Sequence, residues 1–447
     1  MLDQPRRLAN LNHVAPEIRV VAGHVDAVGI VVTDSDLPAS AVLPLLQSLV
    51  DRSLVAFSRE GPSGRYRLLE TLRAFAFERL GVQEGADRFQ ARHAAYFLEI
   101  ADRWFDGFWW IHPSDEPSRQ DVDNFLAALE YGRHSAAPAV GHIASVIHWL
   151  RWQGLLNAES ASWWWTETLA QCGPSDPYAL TSLHYGLGKT ASRRGQQELA
   201  RSQFELLLGL CEQAGDSHGM VRALLELSAV AGSQGDGGAA IRIGNRAVAL
   251  AREFQRPGLL AYALNALAMA LLRESESGTA LRAAEEALSL ARRVGDPHLV
   301  GNVLDTVALA YLHLGEVGIA LELQREALQD DRRSSWETAA WLYTMAALLG
   351  AAGQSEHCLH IGGAIDAWFE RQGNERDPVL AIYRPWIDAA ATALGPRAAA
   401  VRASGRRLSI EEAWTYALDA CLVAKRLVRY DTAEAADERT HDQHSLA

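Results

Sequence analysis

Two short stretches carry residue types that could do chemistry. Gly186-Leu187-Gly188-Lys189-Thr190 reads like the end of a phosphate-binding loop, in which backbone amides cradle a nucleotide's phosphates and the lysine neutralises them. Such a loop needs a further glycine five residues before Gly188 to open the turn after a strand, and Leu183 stands there. The segment lies in a helical pattern, so its amides are engaged within a helix rather than presented to an anion, and nucleotide binding is not expected. His357-Cys358-Leu359-His360 sets two imidazoles three residues apart, close enough to share a helix face, but two histidines leave tetrahedral zinc short of ligands. No GxSxG, HExxH or paired-carboxylate arrangement accompanies them. The chain therefore reads as a non-enzyme, with no catalytic residue, metal or cofactor of its own.

The elements that hold these stretches repeat. Gly195, Gly235, Ser275 and Gly315 are spaced 40 residues apart, and alanine follows five positions later in each unit, at Ala200, Ala240, Ala280 and Ala320. Gly188, Ser228, Ala268 and Ala308 keep the same interval. Small residues at two columns let paired helices approach closely, and the turn column favours glycine because glycine takes positive φ without cost. Ser217, Pro257 and Pro297 mark the junctions, where proline ends one hairpin and can begin the next helix. A fifth, drifted unit runs from about Thr338 to Gln372, with its turn at Gly353 and Cys358 in the alanine column. The spacing predicts a stacked array of helical hairpins over 176–375, an architecture that binds partners rather than catalyses.

Around the array the sequence predicts five further segments. Residues 1–36 have no clean period. Over 37–82, AVLPLLQSLV puts Leu43, Leu46, Leu49 and Val50 on one helical face, a hairpin of Leu54–Ser58 and Arg65–Leu69 turns at 60–64, and a helix over Glu70–Leu80 offers Leu72, Phe75 and Leu80 to a core. Helix, hairpin, helix is the outline of a winged helix. Residues 88–175 form a Trp-rich helical block whose aromatic runs, Trp109-Trp110 and Trp163-Trp164-Trp165, are read as packing because no basic residues interleave with them. Capping helices are expected over Ala381–Leu394 and Ile410–Leu427 within 376–430, and a disordered tail over 431–447.

Composition excludes several classes. The formal net charge is −13, and Met1–Leu80 balances nine arginines against nine acids, so neither the chain nor the winged-helix-like segment offers an electrostatic footprint for nucleic acid. A gel-shift titration is expected to show no salt-sensitive DNA binding. The four cysteines form no CxxC, which points to a reducing, cytoplasmic setting without disulfides, and no apolar run is long enough to span a membrane.

The repeats resemble tetratricopeptide repeats of the longer, roughly 40-residue type. LLQSLVDRSLVAF (45–57) and RYRLLETLRAFAFERL (65–80) are similar to the winged-helix segment of large bacterial signal-transduction ATPases with regulator function. RHAAYFLEIADRW, DNFLAALEY, HIGGAIDAWFERQG (360–373) and GRRLSIEEAWTYAL (405–418) continue the resemblance. It implies an all-α fold, a tetratricopeptide-type α-solenoid forming a right-handed superhelix, preceded by a small winged-helix-like α+β segment. Such regulators carry an ATPase core before the winged helix and often a LuxR-type DNA reader at one end. This sequence has neither a phosphate-binding loop nor a helix-turn-helix after Leu427, so it resembles the sensor arm alone. ATP then enters only through an ATPase domain on another chain or a missing upstream segment, docked against 37–82, and DNA is not an expected partner of this chain by itself.

The resemblance also implies a groove lined by the first helix of each hairpin, for a protein, peptide or small effector. Its candidate residues are Tyr185, Lys189, Arg193, Arg222, Tyr262, Asn265, Arg273, Asn302, Asp305 and His313, a mixture of arginine, tyrosine and amides suited to recognition. They are expected to face outward, so that replacing Arg193, Arg222 and Arg273 together abolishes partner binding without loss of helicity. The alternative function is a regulator that touches DNA directly through the winged-helix-like segment.

Overall fold

The computed structural model describes residues 37–60, 63–68, 72, 75–76, 78–79, 86–105, 121–134, 147–148, 150, 156–171, 177–329, 335–372, 378–422 and 424. The expectations for 1–36, for the indole pair at 109–110 and for the tail 431–447 lie outside them. The chain divides into two compact units, one of residues 1–149 with 167–179 and the other of 150–166 with 180–447.

In the first unit, α1 (Ala39–Asp51) precedes an antiparallel hairpin of β1 (Val55–Glu60) and β2 (Ser63–Leu68), with Val55 opposite Leu68 and Phe57 opposite Tyr66. The expected apolar face of α1 is corrected. Leu43 is 50% exposed and Leu49 is exposed too, while the stripe turned inward runs through Val42, Leu46 and Val50, at i, i+4 and i+8. Period alone marks apolar positions; the packing of α1 on β1 selects which of them are covered. Phe75, also expected in a core, is 55% exposed. The helices α2 (Ala86–Phe105) and α3 (Val122–His134) pack through Phe97 and Phe125, edge to face at 5.4 Å, and through the buried pair His93 Nε2 and Asn124 Oδ1 at 3.2 Å. Arg65 on β2 grips Asp121 with two parallel bonds of 3.0 Å, tying the hairpin to the start of α3.

α4 (Ala158–Gln171) brings the tryptophan run. Trp164 and Trp165 are buried, as the packing reading requires, while Trp163 keeps a more exposed edge.

The second unit is built from hairpins of a first helix A and a second helix B. They are α5 (Pro177–Arg193) with α6 (Gln197–Ala214), α7 (Ser217–Ser233) with α8 (Gly237–Glu253), α9 (Pro257–Arg273) with α10 (Ser277–Val294), α11 (Pro297–His313) with α12 (Val317–Ala327), and α13 (Ser335–Ala351) with α14 (Ser355–Arg371). The turn positions of the 40-residue register are left-handed, with φ of 70° at Gly195, 82° at Gly235, 61° at Ser275 and 86° at Gly315, and so is the turn of the drifted fifth unit, with 74° at Gly353. The alanine column is fully covered at the helix crossings, and Cys358 takes its place in the fifth hairpin.

Consecutive A helices pack directly on one another, whereas successive B helices reach across by long side chains. Glu212 pairs with Arg246, Arg252 with Glu286 and Arg292 with Glu326, a ladder in register whose first rung has its charges exchanged. The A helices are therefore the closely packed side of the array, and the B helices the side spanned by ion pairs.

Beyond α14, the capping expectation is adjusted. Pro378–Tyr383 is a 3-10 turn, α15 (Arg384–Leu394) begins at Arg384, and the supposed separator between the two caps contains a further helix, α16 (Ala398–Gly405), before helical residues 410–422. The backbones of α14 and α16 touch at glycines: a Cβ on Gly363 would collide with the Arg402 carbonyl, and one on Gly405 with that of His360. Arg402 bonds Asp366 at 2.7 Å and the His357 ring meets the Tyr416 hydroxyl at 2.6 Å. The two closing sequence words thus fold onto each other.

Candidate functional site

The Gly186–Thr190 stretch is helical. Gly186 and Gly188 sit within α5, where a Cβ on Gly188 would lie 2.5 Å from the Phe204 ring and one on Gly186 inside the Trp165 indole. Both are small because helices cross there, and their amides belong to the helix. The second stretch is equally occupied, His357 with Tyr416 and His360 Nδ1 with Ser404 Oγ at 2.8 Å. Among the described residues no group of three or more His, Cys, Asp or Glu is placed to hold a metal ion. Cys211, Cys358 and Cys421 are buried free thiols, and burial pushes the first two up to about 12, far from nucleophilic use.

The ten candidate residues all lie on A helices, and none of them is exposed. Tyr185 and Asp305 are buried outright, which corrects the expectation that the set faces outward. Five of them gather around a residue the sequence reading did not single out, Glu226 on α7. Lys189 Nζ of α5 lies 2.9 Å from its Oε2, Arg222 Nε, one turn earlier on α7, lies 3.3 Å from its Oε1, and the Tyr185 hydroxyl donates to Oε1 at 3.4 Å. Arg222 also bonds the Tyr185 hydroxyl, and its guanidinium lies 5.0 Å from the ring centres of both Tyr185 and Tyr262. Three successive A helices thus meet through one carboxylate and one sandwiched cation.

The electrostatics follow from that arrangement. Burial by itself would raise the Glu226 carboxyl, but Lys189 and then Arg222 outweigh it and hold the group below its ordinary range, with Arg193 adding to the effect. Burial keeps the Tyr185 phenol protonated, up to about 12. A signal for Glu226 existed in the sequence: it stands four residues after Arg222 and is the sole acid in α5, α7 and α9.

Farther along, Asn265 stands three residues beyond Tyr262, its Oδ1 buried without a hydrogen-bond partner among the described residues. The guanidinium of Arg273 lies over Gly232 of α7. Asn302 enters a separate network, donating to Glu337 Oε1 at 3.0 Å and accepting from Trp341 Nε1 at 3.3 Å, with His298 Nε2 2.5 Å from the same carboxylate. Asp305 receives Gln324 Nε2 at 2.7 Å, and burial pushes its carboxyl up to about 7. Thr344 bonds both Asp305 and Tyr383, the latter at 3.3 Å, and His313 packs edge-on against Trp386 at 4.9 Å. Asp305 is therefore engaged by Gln324 and Thr344 and His313 by Trp386, while the five around Glu226 form a cluster that joins three successive repeats.

No protein-family model matches the chain. Proteins of Mycobacterium tuberculosis and Mycobacterium bovis, each named "Putative HTH-type transcriptional regulator", are 34% identical to it over 128 residues, 27% of this chain. The chain covers 13% of the length of these curated relatives. Among solved structures, a Rap protein complexed with competence and sporulation factor is 12% identical, with a TM-score of 0.46 over 75% of this chain and 99% of that one. A signal-transduction ATPase with a tetratricopeptide repeat sensor from Pyrococcus horikoshii is 13% identical, with a TM-score of 0.42 over 98% of this chain and 65% of that one.

Proposed function

We propose that this chain is a non-catalytic sensing and interaction arm of a bacterial transcriptional regulator, taking a protein, peptide or small effector against the A face of its repeats. The observation that carries the reading is the cluster at Tyr185, Lys189, Arg193, Arg222 and Tyr262. Solvated surface positions would not be drawn together around a buried carboxylate across three helices, and burying charge is costly unless it holds a defined arrangement. The similarity to named regulators supports the regulatory setting. In this reading the segment over 37–82 is a winged-helix-like module that adjoins an ATPase domain, and the protein works in the cytoplasm.

The test is selection of a random-peptide display library on the immobilised chain. Selected peptides are expected to lose binding when Asn265→Trp fills the A face, with far-UV circular dichroism unchanged. Peptides that bind the filled variant as well as the wild type would refute the groove.

A further inference from the structure

A buried chain of polar side chains lies beneath the stretch that follows the fifth hairpin. Asp305 of α11, 7% exposed, receives Gln324 Nε2 of α12 at 2.7 Å and bonds the Thr344 hydroxyl of α13. Thr344 in turn donates to the Tyr383 hydroxyl at 3.3 Å, at the end of the 3-10 turn Pro378–Tyr383. The Tyr383 ring stacks on Tyr343 with centres 5.6 Å apart, and the Trp386 ring meets His313 while its carbonyl lies 2.9 Å from where a Cβ on Gly350 would stand. The stretch 378–386 is thus seated on α11 and α13 by two aromatic rings and one line of side-chain bonds.

Among the described residues no cation pairs with Asp305. Its partners are an amide and a hydroxyl, so an ionised carboxylate there is a buried charge without a counter-charge, and a proton removes that cost. Thr344 has one hydroxyl hydrogen and gives it to Tyr383, so its bond to Asp305 is complete while the carboxyl has a proton to donate. Gln324 and Thr344 belong to hairpin helices, whereas Tyr383 closes a 3-10 turn, whose backbone bonds are the weaker kind; it is the member that can withdraw and let water in. Gln324 Oε1 and His313 Nε2 are buried without a hydrogen-bond partner, so closure leaves polar atoms unsatisfied and is held less firmly than a complete network would hold it.

We propose that Tyr383 and Trp386 form a proton-linked latch: the stretch 378–386 stays closed on α11 and α13 while Asp305 holds a proton, and loosens when it gives that proton up. Burial places the closed-state carboxyl at about 7, and water reaching it through an open latch returns it towards its ordinary 3.8. Closing therefore binds a proton; it is favoured most in acid, weakens as pH rises to about 7 and weakens no further above. The far end of the A face is thereby covered below neutrality and uncovered above it.

The neighbouring groups do not reproduce this profile. Arg273 of α9 and Tyr343 of α13 act on the Tyr383 phenol, which burial raises further. His298 and Glu337 pair with each other, Glu285 of α10 takes the Tyr311 hydroxyl, and Glu322 and Glu326 of α12, like Arg384 and Asp388 beside the latch, are exposed. His313 does touch Trp386, but burial lowers its imidazole, so it gains charge only in acid and would open the latch at the opposite end of the range.

Hydrogen–deuterium exchange of the full chain between about pH 5 and 8, normalised to intrinsic exchange rates, tests the latch through the amides of Arg384–Leu394, with Ser217–Ser233 as internal reference. Protection of the latch is expected to fall by up to about tenfold per pH unit as pH rises towards 7 and then to level off, while the reference stays flat. Asp305→Asn should remove the slope and keep the latch closed throughout; asparagine already stands at the sister position, Asn265, one repeat earlier. His313→Phe should leave the slope in place. A wild-type profile without slope, an equal slope in Asp305→Asn, a slope lost in His313→Phe, or equal loosening of the reference helix would each overturn the latch. No ligand enters the measurement, so its outcome is separate from that of the groove.

Discussion

Replacing Arg222 with methionine separates the roles mixed in the cluster. The change keeps the aliphatic stem but removes the cation 3.3 Å from Glu226, the bond to Tyr185, and both ring contacts at 5.0 Å. Stranding one partner of a buried pair costs about 3–5 kcal/mol. Lys189 remains 2.9 Å from the carboxylate and retains part of that, while each lost cation–π contact adds about 0.5–1 kcal/mol. The expected destabilisation is about 3 kcal/mol. Adding Glu226→Leu removes the stranded charge and should recover about 2 kcal/mol, with Lys189 free to extend to solvent.

The sign with pH is set by Glu226, whose carboxyl is held below its ordinary 4.5 in the folded chain. Its stabilisation is complete above that ordinary value and fades as pH falls through the folded one, so the Arg222→Met penalty should shrink in acid. Urea unfolding followed by circular dichroism reads all three quantities. A single variant within about 0.5 kcal/mol of wild type, or a double variant no better than the single, would refute the reasoning. The same argument bears on the triple-arginine variant: Arg222 also holds the cluster together, so binding tests are cleaner at Arg193 alone.

Three further outcomes are expected. Gly188→Ala should lower stability by about 1–3 kcal/mol, because the new Cβ falls 2.5 Å from the Phe204 ring; unchanged thermal unfolding would return the glycine to a loop role. Ser275→Gly should raise stability by up to about 1 kcal/mol, since Ser275 holds a φ of 61° that its sister positions meet with glycine, and a fall in melting temperature would contradict this. Asp305→Asn should flatten the pH dependence of stability. The wild-type carboxyl stays protonated in the folded chain up to about 7, so wild-type stability declines as pH rises from 3.8 towards 7, and the variant should be the more stable one above that range. Equal slopes for the two proteins in pH-resolved urea titrations would remove Asp305 from this role.

The repeat was legible because its physics is local. Glycine at a left-handed turn, alanine at a helix crossing and proline at a helix start each leave a residue-type mark, and the 40-residue interval aligns them. What a sequence pattern does not mark depends on contacts between distant residues. Glu226 matters because Lys189, 37 residues earlier, folds onto it, Asp305 is engaged by Gln324 and Thr344, and His313 is engaged because Trp386 reaches back across the array. On α1 the apolar positions were visible, but the side covered by β1 was not, so Leu43 stood where Val42 belongs. Of the two glycines in HIGGAIDAW, Gly363 has a contact that requires it, the Arg402 backbone, and Gly405 meets the His360 backbone in return; neither contact could be read from a single segment.

The central claim is that a ligand lies on the A face formed by α5, α7 and α9. Hydrogen–deuterium exchange of the full chain, with and without a display-selected peptide at saturation, tests it most directly. Slowed exchange over Pro177–Arg193, Ser217–Ser233 and Pro257–Arg273 is the expected result. Protection confined to the hairpin of Val55–Leu68, or to the B helices, would contradict the account.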